Sequence, residues 1–171
     1  MGSRWHLAQV NIAIARAPLD SAELRPFMEL LDPVNADADR APGFVWRLQT
    51  EDGNATAVRA FPGDDADGRL IVNLSVWESF DALASFVYRS GHVGVMRRRR
   101  EWFDRMASAY QALWWMPAGH RPTGANAEER LLTLRAEGAS PFAFTFRERF
   151  PSPEDDVARQ DDERWGCPAG P

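Results

Sequence analysis

Two strand-like stretches of the chain share one pattern of apolar and polar positions. From Trp5 to Ala15 the even positions His6, Ala8, Val10, Ile12 and Ile14 make an almost uniformly apolar face. The odd positions Trp5, Leu7, Gln9, Asn11 and Ala13 mix amides with an aromatic. Leu70 to Trp77 repeats the split, with Leu70, Val72, Leu74 and Val76 on one side and Ile71, Asn73, Ser75 and Trp77 on the other. Alternation with period two marks strands that lay one face on a core. Phe44 to Glu51 is a further expected strand, with Phe44, Trp46 and Leu48 opposed to Val45, Arg47 and Gln49. The turn Asp52-Gly53-Asn54 then leads to a short pairing strand over Thr56 to Phe61. Tyr110 to Met116 is the last of the main set, with Gln111, Leu113 and Trp115 on its second face.

Helical spacing fills the intervals. Asp20 or Ser21 can cap a helix carrying Leu24, Phe27, Met28, Leu31 and Val34, with Pro26 in its first turns and Ala41-Pro42-Gly43 as its stop. Ser79 or Asp81 opens a second helix, which breaks at Ser90-Gly91-His92. Beyond Pro117 the spacing predicts a helix from about Asn126 to Glu137, stopped by Gly138, and a short strand holding Phe142, Phe144 and Phe146. The order β-α-β-β-α-β, with an appended helix and strand, predicts an α+β, ferredoxin-like domain. Both helices should cover the uniformly apolar face. A second copy's sheet would close the other, giving an isologous homodimer with amides and tryptophans lining an interior cavity.

Composition narrows the class. At 171 residues with 44% hydrophobic content and seven tryptophans, the chain is one globular domain. Residues 1–150 are expected to form it, with the extension starting at about 117, and 151–171 to be an acidic disordered tail. That tail holds six acids against two arginines, a net −4, so the body carries only −1 of the chain's −5. A nearly neutral body argues against nucleic acid as a partner. No apolar run approaches the roughly 18 residues that span a bilayer, no signal peptide is evident, and the single Cys167 fits a reducing cytoplasm. All 20 basic residues are arginine, which excludes lysine Schiff-base chemistry and ordinary pyridoxal-phosphate attachment.

Phosphate-cradling glycine loops, Gly-x-Ser-x-Gly elbows and zinc-type Cys or His spacings are missing, so no metal site is expected. What remains is a constellation: Gln9, Asn11, Trp46, Asn73, Ser75, Trp77, Tyr88, His92, Trp115 and the run Arg97 to Arg100. His92 has two readings, a helix-junction histidine bonded to a carbonyl, or a base or iron ligand aimed inward by the helix break. Asn11 and Asn73 either bridge neighbouring strands or bind a substrate carbonyl, since buried amides need partners in either case. The tryptophans serve as core or as a ring platform. At most one or two of the four consecutive arginines can face inward, and the rest are solvated or paired with Glu101 and Asp104.

The segments WHLAQVNIA, LDPVNADADRAPGFVWRLQTEDG, LIVNLSVWES, YRSGHVGVMRRRREWF and LWWMPAGHRPT resemble the domain-of-unknown-function family 3291 over about Trp5 to Phe150. That family is similar to a branch of the dimeric α/β-barrel superfamily, which includes antibiotic-biosynthesis monooxygenases and haem-degrading enzymes. The resemblance implies a dimeric barrel and a small, largely apolar ligand. Its leading implication for function is cofactor-independent oxidation of an aromatic or polyketide-like molecule. Asn73 and Trp77, with Asn11 as partner, correspond to the Asn and Trp residues those monooxygenases use. His92 would then take the substrate's proton, while Gln9, Trp46, Ser75, Tyr88 and Trp115 would bind it. The haem-degrading relatives imply instead a haem with His92 on the iron, although their histidine stands farther along, where Arg97 lies here. The third alternative is a non-catalytic ligand-binding dimer.

Overall fold

The computed structural model describes residues 4–49, 61–64, 67–89 and 92–156, the side chains of His92, Val93, Val95 and Met96 excepted. Four strands, β1 (Trp5–Ile14), β2 (Phe44–Arg47), β3 (Leu70–Trp77) and β4 (Gln111–Pro117), form one antiparallel sheet in the order β2-β3-β1-β4. Helix α1 (Arg25–Asp39) joins β1 to β2, and α2 (Phe80–Arg89) with α3 (His92–Trp102) joins β3 to β4. This is the ferredoxin-like arrangement that the alternation predicts. Helix α4 (Gly124–Glu137) is the expected appendage.

Local chemistry sets the helix ends. Pro26 occupies the first turn of α1, where a missing N–H costs nothing, and the Ser21 hydroxyl accepts from the Leu24 N–H at 3.4 Å. Ser79 Oγ accepts from the Ala82 N–H at the start of α2. Thr123 and Asn126 close a reciprocal capping box on α4, and Gly138 ends it at φ +82°. The chain leaves β4 along its outer edge as a single bridge, Leu113 with Phe144, and not as the expected strand. Alternating phenylalanines were not sufficient, because only Phe144 meets the edge of β4. The pairing strand expected over Thr56 to Phe61 lies outside the described residues, apart from the buried Phe61.

Which face is covered by what differs from expectation. The helices α1 to α3 pack over the face that carries the amides, where Leu83 joins Leu7, Trp77, Leu113 and Phe144, and Phe27 joins Ala15, Leu24 and Trp102. The uniformly apolar face is closed by α4 instead. There Ala127, Leu131 and Leu134 pack with Phe61 and Ala143 onto Ala8, Val10, Ile12, Leu74, Val76 and Trp114. Each large aliphatic residue gains roughly 1.5–3 kcal/mol on full burial, so a face this apolar must be covered. The appended helix supplies that cover within one chain, and a second sheet is not required for it.

Residues 153–156 make a helical turn on Ser152, which is buried and bonds Asp155 at 2.7 Å, while Glu154 meets Arg4 at 3.6 Å. From 157 onward the tail lies outside the described residues.

Candidate functional site

Between the amide face of the sheet and the three helices lies a cavity of about 570 Å³, within the usual range for a small-molecule site. Its floor is two rows of side chains running across β3, β1 and β4. Strand register puts Asn73, Asn11 and Gln111 in one row and Ser75 and Gln9 in the next, which ends beyond the cavity at the buried Leu113. A period of two delivers both rows to one face, as the sequence predicts.

The floor's hydrogen bonds are unevenly shared. Gln111 Nε2 reaches Gln9 Oε1 at 3.5 Å, Gln9 Nε2 donates to Ser75 Oγ at 3.1 Å, and Trp77 Nε1 donates to the same oxygen at 2.9 Å. Ser75 thus accepts twice, which leaves its own O–H as a donor. Asn11 and Asn73 stand opposite each other in register, yet neither side chain has a hydrogen-bond partner among the described residues. The strand-bridging reading of that pair is therefore not what the structure holds. Both line the cavity, Asn11 half-buried and Asn73 exposed, and their donors and acceptor meet no other side chain among the described residues.

Aromatic groups and arginines make the walls. Trp77 is buried between Phe86, stacked at 5.1 Å, and Phe44, edge-on at 5.4 Å. Tyr88 is exposed at the mouth against Phe146. Arg47 borders the β2 side and is gripped by Asp39 through bonds of 2.8 and 3.2 Å. On the β4 side Arg99 donates to the Tyr110 hydroxyl at 3.0 Å, with its guanidinium 4.7 Å from that ring's centroid. Its neighbour Arg98 turns away and pairs with Glu101, whose carboxyl is held below its ordinary range by that hydrogen bond.

Gln9, Asn11, Asn73, Ser75, Trp77 and Tyr88 are thus brought together, and two expected ligand-binding residues are not. Trp46 sits on the opposite face. A bulge between Phe44 and Trp46 pairs Phe44 with Trp77 but Trp46 with Val76, so the extra residue re-aims the tryptophan toward α4. Trp115 shares the cavity's face but lies beyond it, with its indole N–H on the Phe150 carbonyl at 2.8 Å. His92 is the first residue of α3, and its side chain is outside the description. Arg47, held by Asp39, and Tyr110 with Arg99 also border the cavity, and strand periodicity does not reveal either pair. One signal was available, since only an inward member of the arginine run could reach a tyrosine eleven residues on. For a haem, the described lining offers no imidazole or thiolate, and its phenols are those of Tyr88 and Tyr110. Among the described residues no cluster of three or more His, Cys, Asp or Glu could hold a metal ion.

Residues 6–160 match the family model described as Domain of unknown function (DUF3291). The chain belongs to that family. No curated protein matches this DUF3291 chain. Among solved structures it is similar to SnoaB, a cofactor-independent oxygenase from Streptomyces nogalater, with 18% identity and a TM-score of 0.41 over 68% of this chain and 95% of that one. It is also similar to PA3566 from Pseudomonas aeruginosa, with 12% identity and a TM-score of 0.45 over 70% of this chain and 100% of that one. A third is NE2512, a protein of unknown function from Nitrosomonas europaea, with 10% identity and a TM-score of 0.42 over 71% and 97%. Superpositions this loose carry no argument about chemistry. No helix among the described residues is long and apolar enough to cross a membrane.

Proposed function

We infer that this DUF3291 protein binds a small aromatic molecule between sheet and helices and oxidises it with molecular oxygen without a cofactor. The observation that supports this most is the pair of unpartnered amides, Asn11 and Asn73, on the floor of a largely aromatic and aliphatic cavity. Polar groups left without partners in such a pocket orient a ligand, and here they suit a phenolic or keto oxygen. Amide N–H groups on that oxygen stabilise the enolate formed when a carbon conjugated with it, such as the CH2 of anthrone, loses its proton. The carbanion form of that enolate gives an electron to oxygen, the radicals combine to a hydroperoxide, and loss of water leaves a carbonyl. The balance is one CH2 and one O2 consumed for one C=O and one water formed. His92 is the proposed proton acceptor.

Oxygen uptake with anthrone as substrate tests the reading. Uptake is expected in the native protein, with kcat/KM falling at least tenfold in Asn73→Ala and in Asn11→Ala. Anthrone binding without uptake would leave a ligand-binding protein and remove the enzyme. The homodimer belongs to the same proposal, though the cavity is lined by residues of one chain. Light scattering should give twice the 19.2 kDa chain mass, and a monomer mass removes it.

A further inference from the structure

Charge in the cavity is one-sided. Its described lining holds guanidinium groups on Arg47, Arg99 and Arg147 and no carboxylate. Asp39 neutralises Arg47. Arg99, half-buried, has no acidic partner among the described residues, where the one hydrogen bond of its guanidinium goes to the Tyr110 hydroxyl. A hydroxyl acceptor carries no formal charge, so this contact fixes the guanidinium without cancelling its charge. The acids nearest to Arg99 in sequence are already engaged. Glu101 is held by Arg98, and Asp104 lies within 4.0 Å of Arg16 and 3.9 Å of Arg69. Among the described residues, four of the five N–H donors of Arg99 are left over, in the planar fork that suits a carboxylate.

We propose that Arg99 and Tyr110 form an anion subsite, and that the ligand of the cavity is an aromatic carboxylic acid. Tyr110 directly precedes Gln111, which stands in the same row as Asn11 and Asn73. Neighbouring strands lie about 4.8 Å apart, so that row spans about 10 Å from β3 to β4. Two fused rings with one carboxylate have that length. The acid group meets Arg99 at the β4 edge, and the far ring lies over the Asn11 and Asn73 amides. This deepens the proposed function by naming the substrate class, and rests on it for the place of the site, whereas binding needs no turnover.

Calorimetric titration of the full chain with 2-naphthoate, and separately with 2-naphthamide, tests it. Naphthoate should bind at least tenfold more tightly, with the gap shrinking as salt is raised. Arg99→Gln should erase the preference and Arg99→Lys should keep part of it. Equal affinities in the native protein, a preference that survives in Arg99→Gln, or binding of neither compound overturns the proposal. Oxygen uptake from anthrone without a carboxylate preference rejects the acid subsite alone. A carboxylate preference without uptake rejects the oxidation alone.

Discussion

Ser75 and the two asparagines occupy adjacent rows of the same floor, but they do different work. The Ser75 oxygen accepts from two buried donors, the Gln9 amide and the Trp77 indole. Ser75→Ala leaves both without an acceptor, and each unsatisfied buried group costs roughly 1–3 kcal/mol. We expect a loss of about 2 kcal/mol in urea unfolding, together with a shift in tryptophan fluorescence. Asn11 and Asn73 have no partner to lose, so Asn73→Ala should change stability by no more than about 0.5 kcal/mol. A large loss there would mean that the amide is structural, and the argument for a ligand would go with it. From the sequence, all these residues could be placed on one face. Which of them were already satisfied could not be read, because that depends on distances across strands 66 and 102 residues apart.

At the scale of elements, the joint between α1 and β2 decides how tightly the helices close over the cavity. Gly43 holds it at φ +78°, and a Cβ there would lie 2.5 Å from the Cβ of Ala82 in α2. Its carbonyl also accepts from the Glu78 N–H at 2.8 Å. Gly43→Ala therefore strains the backbone and pushes α2 away from β2. Residues forced into sparsely populated dihedrals cost about 1–3 kcal/mol and overpacking adds a similar amount, so a loss of about 2 kcal/mol or more should appear in urea unfolding. The Gly43 stop was legible, but the bulge two residues later was not. Phe44, Trp46 and Leu48 alternate as well as any strand, and only the pairing of Phe44 with Trp77 reveals that an extra residue intervenes.

For the whole molecule, α4 changes what a second copy would be for. It covers the apolar face from within the chain, while the cavity opens on the other side of the sheet. Affinity for 2-naphthoate should then stay constant over a hundredfold range of protein concentration, with one ligand bound per chain. Affinity that rises with concentration would place part of the site on a second copy, since binding linked to assembly follows mass action. The sequence by itself determined the four strands of the sheet, the helices and the split between apolar and amide faces, and hence the ferredoxin-like sheet, but not the single bridge that stands for the appended strand, because periodicity is a local property of the chain. The tertiary structure decided which face each helix covers, where Trp46 and Trp115 point, and that Arg99 meets Tyr110. Those outcomes depend on pairing register and on competition between distant elements for the same apolar surface, and one-dimensional spacing records neither.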